Sequence, residues 1–147
     1  MKRILSILLV LLWIAAPGSA GAAVPDDPPP YGIALIGDPH LPGNNVWSKE
    51  QVIRTINGWR GIDRVVVLGD ICKETGTAGE YAFAKKFFGR LRQPLRLVAG
   101  NHDYIYEDET DSEGRKVKGS AATRRKKLAR FVETFGQAAS TAERLGG

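Results

Sequence analysis

Between residues 31 and 136 the apolar positions follow two rhythms. Short continuous runs, "YGIALIG" (31–37), "RVVVLG" (64–69) and "PLRLVAG" (94–100), each end in glycine. Runs this short, aliphatic and apolar on both faces predict buried strands. The segments between them repeat at helical spacing instead. "SKEQVIRTINGWR" (48–60) sets Val52, Ile56 and Trp59 along one face and opens with Ser48 and Gln51 at capping-box spacing. "TAGEYAFAKKFFGRLR" (77–92) has a second such box in Thr77 and Glu80, and Ala84, Phe87, Phe88 and Leu91 fall at i, i+3, i+4 and i+7. "AATRRKKLARFVETFG" (121–136) predicts a third helix with Leu128, Phe131, Val132 and Phe135 toward the core. The order β-α-β-α-β predicts an α/β fold, a parallel sheet with flanking helices.

The polar interval 105–119, "IYEDETDSEGRKVKG", has no periodicity and reads as a loop. Glu109, Asp111, Glu113 and Gly114 match positions of a calcium loop, but its last ligand position would hold Ser120 in place of a bidentate Glu, so a solvated loop is preferred. The basic cluster Arg124, Arg125, Lys126, Lys127 and Arg130 reads as the solvated face of the third helix.

Residues 1–22 break the pattern. "MKR", then "ILSILLVLLWIAA", then a small-residue end with Ala20 and Ala22, read as a secretory signal peptide cleaved after Ala22. A largely apolar stretch of thirteen residues is too short to span a bilayer comfortably, so no stable membrane anchor is expected, and a periplasmic or secreted product is. Residues 23–30, containing "VPDDPPP", form a proline-rich linker. Composition then changes little: 43% hydrophobic residues suit one globular core in residues 31–147. Removing Lys2 and Arg3 lowers the net charge from +5 to +3, too weak to argue for a nucleic-acid partner. The basic helix also brings no aromatic platform for stacking bases. Cys72, the only cysteine, has no disulfide partner and reads as a small buried residue.

The chemistry lies where the strands end. The first ends in "GDPH" (Asp38, His40), the second in "GD" (Asp70) and the third in "GNHD" (Asn101, His102), so both histidines of the chain are used there. Asp38 and Asp70 are 32 residues apart, and Asp70 and Asn101 are 31 apart, each about one βα unit. In a parallel sheet all three ends share one edge, the edge where ligands bind. Asp and Asn after strands also cap helices, but three consecutive ends carry more than one would. Two carboxylates, an imidazole and an amide are hard or borderline donors, suited to Mn, Fe or Zn more than to a thiolate-loving ion. A carboxylate on the middle unit is placed to bridge two cations, and paired cations activate water against a phosphoryl group.

These blocks resemble the first three signature blocks of the calcineurin-like metallophosphoesterases, and the stretch from Gly69 to Asp103 most resembles the cyclic-nucleotide phosphodiesterase-like branch. The resemblance covers residues 31 to about 136. It implies that Asp38 and His40 bind one metal, Asp70 bridges, Asn101 binds the second, and His102 contacts the substrate phosphate or protonates the leaving oxygen. It implies two divalent or trivalent metal ions and a small phosphate-ester substrate, with oligomeric state open. The family's pattern departs at two points. Where part of the family has a further Asp, this chain has Lys73, so no carboxylate is assigned to orient His102; Glu74 is a weak substitute. No histidine follows His102, whereas the family completes its site with later "GH" and "GHxH" blocks. The chain therefore reads as the N-terminal half of a four-layer αββα sandwich, with exposed edges and marginal stability. Two function classes follow: an exported metal-dependent phosphoesterase, or a catalytically inactive remnant that binds metal or phosphate.

Overall fold

A computed structural model describes residues 31–140, so the signal peptide, the proline-rich linker and residues 141–147 lie outside the described residues. Strands β1 (Ile33–Ile36), β2 (Arg64–Val67) and β3 (Leu95–Leu97) form a parallel sheet in the order β1-β2-β3. Its register pairs Ile33 with Arg64 and Val65 with Leu95. The alternation predicted for two-sided burial is only half realised. Ala34, Ile36, Val65, Val67 and Leu97 are buried on one face, while Ile33, Leu35 and Val66 on the other are half-buried and Leu68 is 53% exposed.

Helix α1 (Val46–Gly58) begins two residues before the predicted start. Its cap is Asn45, in a left-handed conformation, and no side chain caps the turn, so the Ser48–Gln51 box does not form. The buried residues are Ile53 and Ile56, with Val52 and Trp59 only packed against the core. In α2 (Ala78–Phe88) the predicted box does form: the Thr77 hydroxyl accepts from Glu80 N at 3.2 Å, a cap worth about 1 kcal/mol. Glu80 does more than cap. Its buried carboxylate accepts from the backbone N–H groups of Glu74, Thr75, Gly76 and Thr77, gathering that turn around one side chain.

The interval 105–119 is not a loop. It folds into an antiparallel hairpin, β4 (Tyr106–Thr110) and β5 (Lys116–Lys118), pairing Tyr106 with Lys118 and Thr110 with Lys116. The Asp111 carboxylate closes its turn by accepting from Glu113 N and Arg115 N. Helix α4 (Ala121–Phe135), capped by Ser120, buries Phe131. The expected core side is otherwise revised: Val132 is 46% exposed, Leu128 half-buried, and Lys127, read as solvated, is 1% exposed. The reason is a partner on the hairpin. Lys127 Nζ meets Asp108 Oδ1 at 2.8 Å and also donates to the Thr75 carbonyl, and Arg130 meets both Asp108 oxygens. Beyond α4, Gln137 Oε1 accepts from Leu97 N and Ala139 O accepts from Ala99 N, so the outer edge of β3 is covered.

Candidate metal and phosphate edge

The three strand ends meet as predicted, and the backbone brings them together by an interruption. Pairing of β1 with β2 stops after Leu68 N donates to Ile36 O, and it resumes when His40 N donates to Asp70 O at 3.0 Å and Leu41 N to Ile71 O at 2.7 Å. Leu41 and Cys72 then form an isolated parallel bridge. Asp38 lies inside the gap and His40 and Asp70 close it, with φ of 42°, 44° and 44°. Left-handed geometry costs a non-glycine residue about 1–2 kcal/mol, and such strain gathers at ligand-binding positions.

Asp70 is the hub. Its Oδ1 accepts from His102 N at 3.0 Å, and one end of the Asn101 amide lies 3.3 Å from Oδ2, the end that donates there if it is the nitrogen. This closeness requires Gly100, where an added Cβ would sit 2.2 Å from Asp70 N and from Asp70 Oδ1. The His40 and His102 rings pack edge-on with centroids 4.7 Å apart. Asp38 is exposed. Lys49 Nζ donates to the His40 carbonyl at 2.8 Å; burial and the charge of Lys73 hold its ammonium below the ordinary lysine range.

Asp103, the last residue of "GNHD", is the clip of the edge. Fully buried, its carboxylate accepts from Ile71 N (3.1 Å), Cys72 N (2.8 Å) and Gly100 N (2.7 Å), fastening the end of β2 to the end of β3. Burial pushes its carboxyl above the usual range against the pull of those donors. Tyr81 OH donates to the Asp103 carbonyl at 2.7 Å. The available signal was spacing: Asp103 follows Gly100 by three residues, opening the short helix α3 (Asn101–Tyr104). Cys72 is fully buried as expected, and burial with the Asp103 charge pushes its thiol up.

The group that orients His102 is a backbone carbonyl. His102 Nδ1 lies 2.7 Å from Lys73 O, while Glu74 instead meets Lys73 Nζ at 2.9 Å and Lys116 Nζ at 3.3 Å. Away from this edge, an open cavity of about 400 Å³ lies between the hairpin and α4, lined by Glu107, Asp108, Lys126 and Arg130 among others, and it contains none of the strand-end donors.

Two carboxylates, an imidazole and an amide suit a hard or borderline cation in type. Among the described residues, however, no three His, Cys, Asp or Glu side chains converge into a closed cation site.

The fold and this edge define an α/β protein of the class that binds its ligand at the carboxyl ends of parallel strands. The family description "Calcineurin-like phosphoesterase" matches residues 31–144, and the chain belongs to that family. It is also similar to the glycerophosphodiester phosphodiesterase GpdQ of Enterobacter lignolyticus (strain SCF1), with 47% identity over 53 residues. That match spans 35% of this chain and 19% of the relative's length.

Proposed function

We propose that this chain carries one side of the metal centre of a phosphoesterase that hydrolyses phosphomono- or phosphodiesters. The carrying observation is the strained gap: Asp38, His40 and Asp70 all adopt left-handed backbone at the ends of two paired strands, with Asn101 beside Asp70. Asp38 and His40 would hold the first of two cations, Asp70 would bridge and Asn101 would serve the second; Mn, Fe or Zn suits the donors. Such cations, when bound, lower the pKa of water and offset charge on phosphoryl oxygens. The protein's own part is positional. Asp103 and Gly100 hold Asp70 against His102, and His102 contacts the substrate phosphate or protonates the leaving oxygen. The GpdQ likeness favours a small phosphodiester substrate, with no nucleic-acid partner. Export through residues 1–22 into a periplasmic or secreted setting belongs to the same reading, supported by the charged, apolar and small-residue order of that segment. Among the described residues no helix is long and apolar enough to cross a membrane.

The second reading, a metal- or phosphate-binding fragment without turnover, is favoured by the arrangement of the donors, no three of whose His, Asp or Glu side chains group together among the described residues. Calorimetric titration with Mn²⁺ or Zn²⁺, run beside hydrolysis of an aryl phosphodiester, separates the two. Metal-dependent turnover abolished by Asp70→Asn supports the phosphoesterase; binding that Asp70→Asn weakens, with no turnover, supports the fragment. No binding of either metal and none of inorganic phosphate overturns both.

A further inference from the structure

The main chain of His40 is tied to two different elements. Its N–H donates to Asp70 O at 3.0 Å, and its carbonyl accepts from Lys49 Nζ at 2.8 Å. The first contact belongs to the strand ends. The second comes from the first turn of α1, nine residues further along the chain, so the half-buried Lys49 side chain reaches back to the residue where the strand gap closes.

The intervening loop is shaped around that ammonium. Gly43 has φ of 47°, and an added Cβ there would lie 2.7 Å from Lys49 Nζ and overlap the His40 carbonyl oxygen. A residue without a side chain leaves the ammonium and the carbonyl room to meet. The contact also falls on a strained residue. At φ of 44° His40 crowds its Cβ against a main-chain carbonyl oxygen, and a charge-assisted hydrogen bond, stronger than a neutral one, offsets that crowding. The same conformation sets the His40 ring edge-on to His102, with centroids 4.7 Å apart. A return to negative φ would swing Cβ about the main chain and carry the ring away.

We propose that Lys49 is a positioning residue for His40: its ammonium clamps the His40 carbonyl and holds the left-handed main chain that presents the imidazole to the strand-end edge. What the imidazole then binds rests on the phosphoesterase reading; the clamp does not.

Nuclear Overhauser spectra of the full chain, recorded without metal, test the clamp directly. Left-handed geometry brings a residue's own amide proton close to its Hα, so wild-type His40 should give a strong intraresidue cross-peak, as should Asp70 and Asn45. In Lys49→Met, which keeps the apolar stem and removes the donor, the His40 cross-peak should fall toward the level of β1 residues while those of Asp70 and Asn45 persist. Lys49→Arg, with its charge and a donor, should keep most of the intensity, and Arg54→Ala, an exposed cation on the same helix, all of it. A weak His40 cross-peak in the wild type overturns the proposal, as does an unchanged one in Lys49→Met. Joint loss at His40, Asp70 and Asn45 also overturns it, by pointing to general loosening. Zinc calorimetry reads the consequence for the site: Lys49→Met should bind about tenfold more weakly than wild type. Equal or tighter binding would make the ammonium only a charge that repels the cation, and overturns the positioning role. If the wild type binds no zinc, the phosphoesterase reading loses its support while the metal-free spectra still decide the clamp.

Discussion

The strand-end edge and the hairpin–α4 region are held by different forces. At the edge, apolar strands deliver polar residues, and the last contacts are neutral N–H groups donating to one buried carboxylate, Asp103. In the hairpin, strands of mostly charged residues dock on α4 through acidic side chains, Asp108 clasped by Lys127 and Arg130 and Glu107 accepting from Ser120 N and Thr123 Oγ1. Asp103 is fully buried and Asp108 is 44% exposed in its side chain. The same functional group therefore acts as an internal fastener in one place and a solvent-coupled one in the other. The first is shielded from salt by burial; the second, open to solvent on one side, should respond to salt.

The largest effect expected is at the edge. Asp103→Ala leaves the N–H groups of Ile71, Cys72 and Gly100 without their acceptor, a loss of about 3 kcal/mol or more. Urea denaturation measures it, and the buried Cys72 thiol, unreactive in the wild type, should become open to labelling under native conditions. A loss no larger than that of a hairpin variant would erase the distinction between the regions. Next comes Asp108→Ala, which leaves the Lys127 ammonium buried with the Thr75 carbonyl. The cost should be about 2 kcal/mol, below that of a fully buried pair because Asp108 faces solvent on one side. Hydrogen exchange should locate the loosening in residues 106–118, with the Leu95–Leu97 strand still protected.

The smallest effect is acid loosening. Lys127 and Arg130 hold the Asp108 carboxyl down at about 2, with hydrogen bonding to Arg130 the largest cause. A carboxyl lowered in the folded state stabilises above its ordinary value, near 3.8, and that contribution is lost as pH falls toward 2. Allowing for exposure, about 1 kcal/mol should disappear across this window. The hairpin amides should lose protection there, and Asp108→Asn should show no such step. Protection that holds steady through the same window would show that the hairpin does not depend on this charge.

The two regions were also unequally legible. Strand positions and the shared edge follow from apolar runs of period and length that few other structures satisfy, so Asp38, Asp70 and Asn101 could be placed from spacing alone. The hairpin was missed because β4 and β5 carry Glu107, Asp108, Lys116 and Lys118, residues that score against a strand; the partners of Glu107 and Asp108 sit at α4, well over ten residues away, and that of Lys116 is Glu74, farther still. Lys127 was misread for the matching reason, since a helix face does not reveal an acid waiting opposite it. The Ser48–Gln51 box shows a further gap. Spacing identified a possible cap, but Asn45 starts the helix one turn earlier. The orienting carbonyl of Lys73 left no trace in residue type at all, because every residue carries one.

The interruption between β1 and β2 has a mechanical consequence. The strands part after Ile36 and Leu68 and are tied again at His40–Asp70 and Leu41–Ile71, so the chain forms an eyelet stitched on both sides. Asp38, His40 and Asp70 sit on its rim and cannot swing away independently, because each is tethered ahead and behind by inter-strand bonds. A displacement of Asp70 must pull on the His40 main chain, and through Gly100 on β3. The donors should respond to an arriving cation as one stiff loop, with their ordering already completed when the sheet folds.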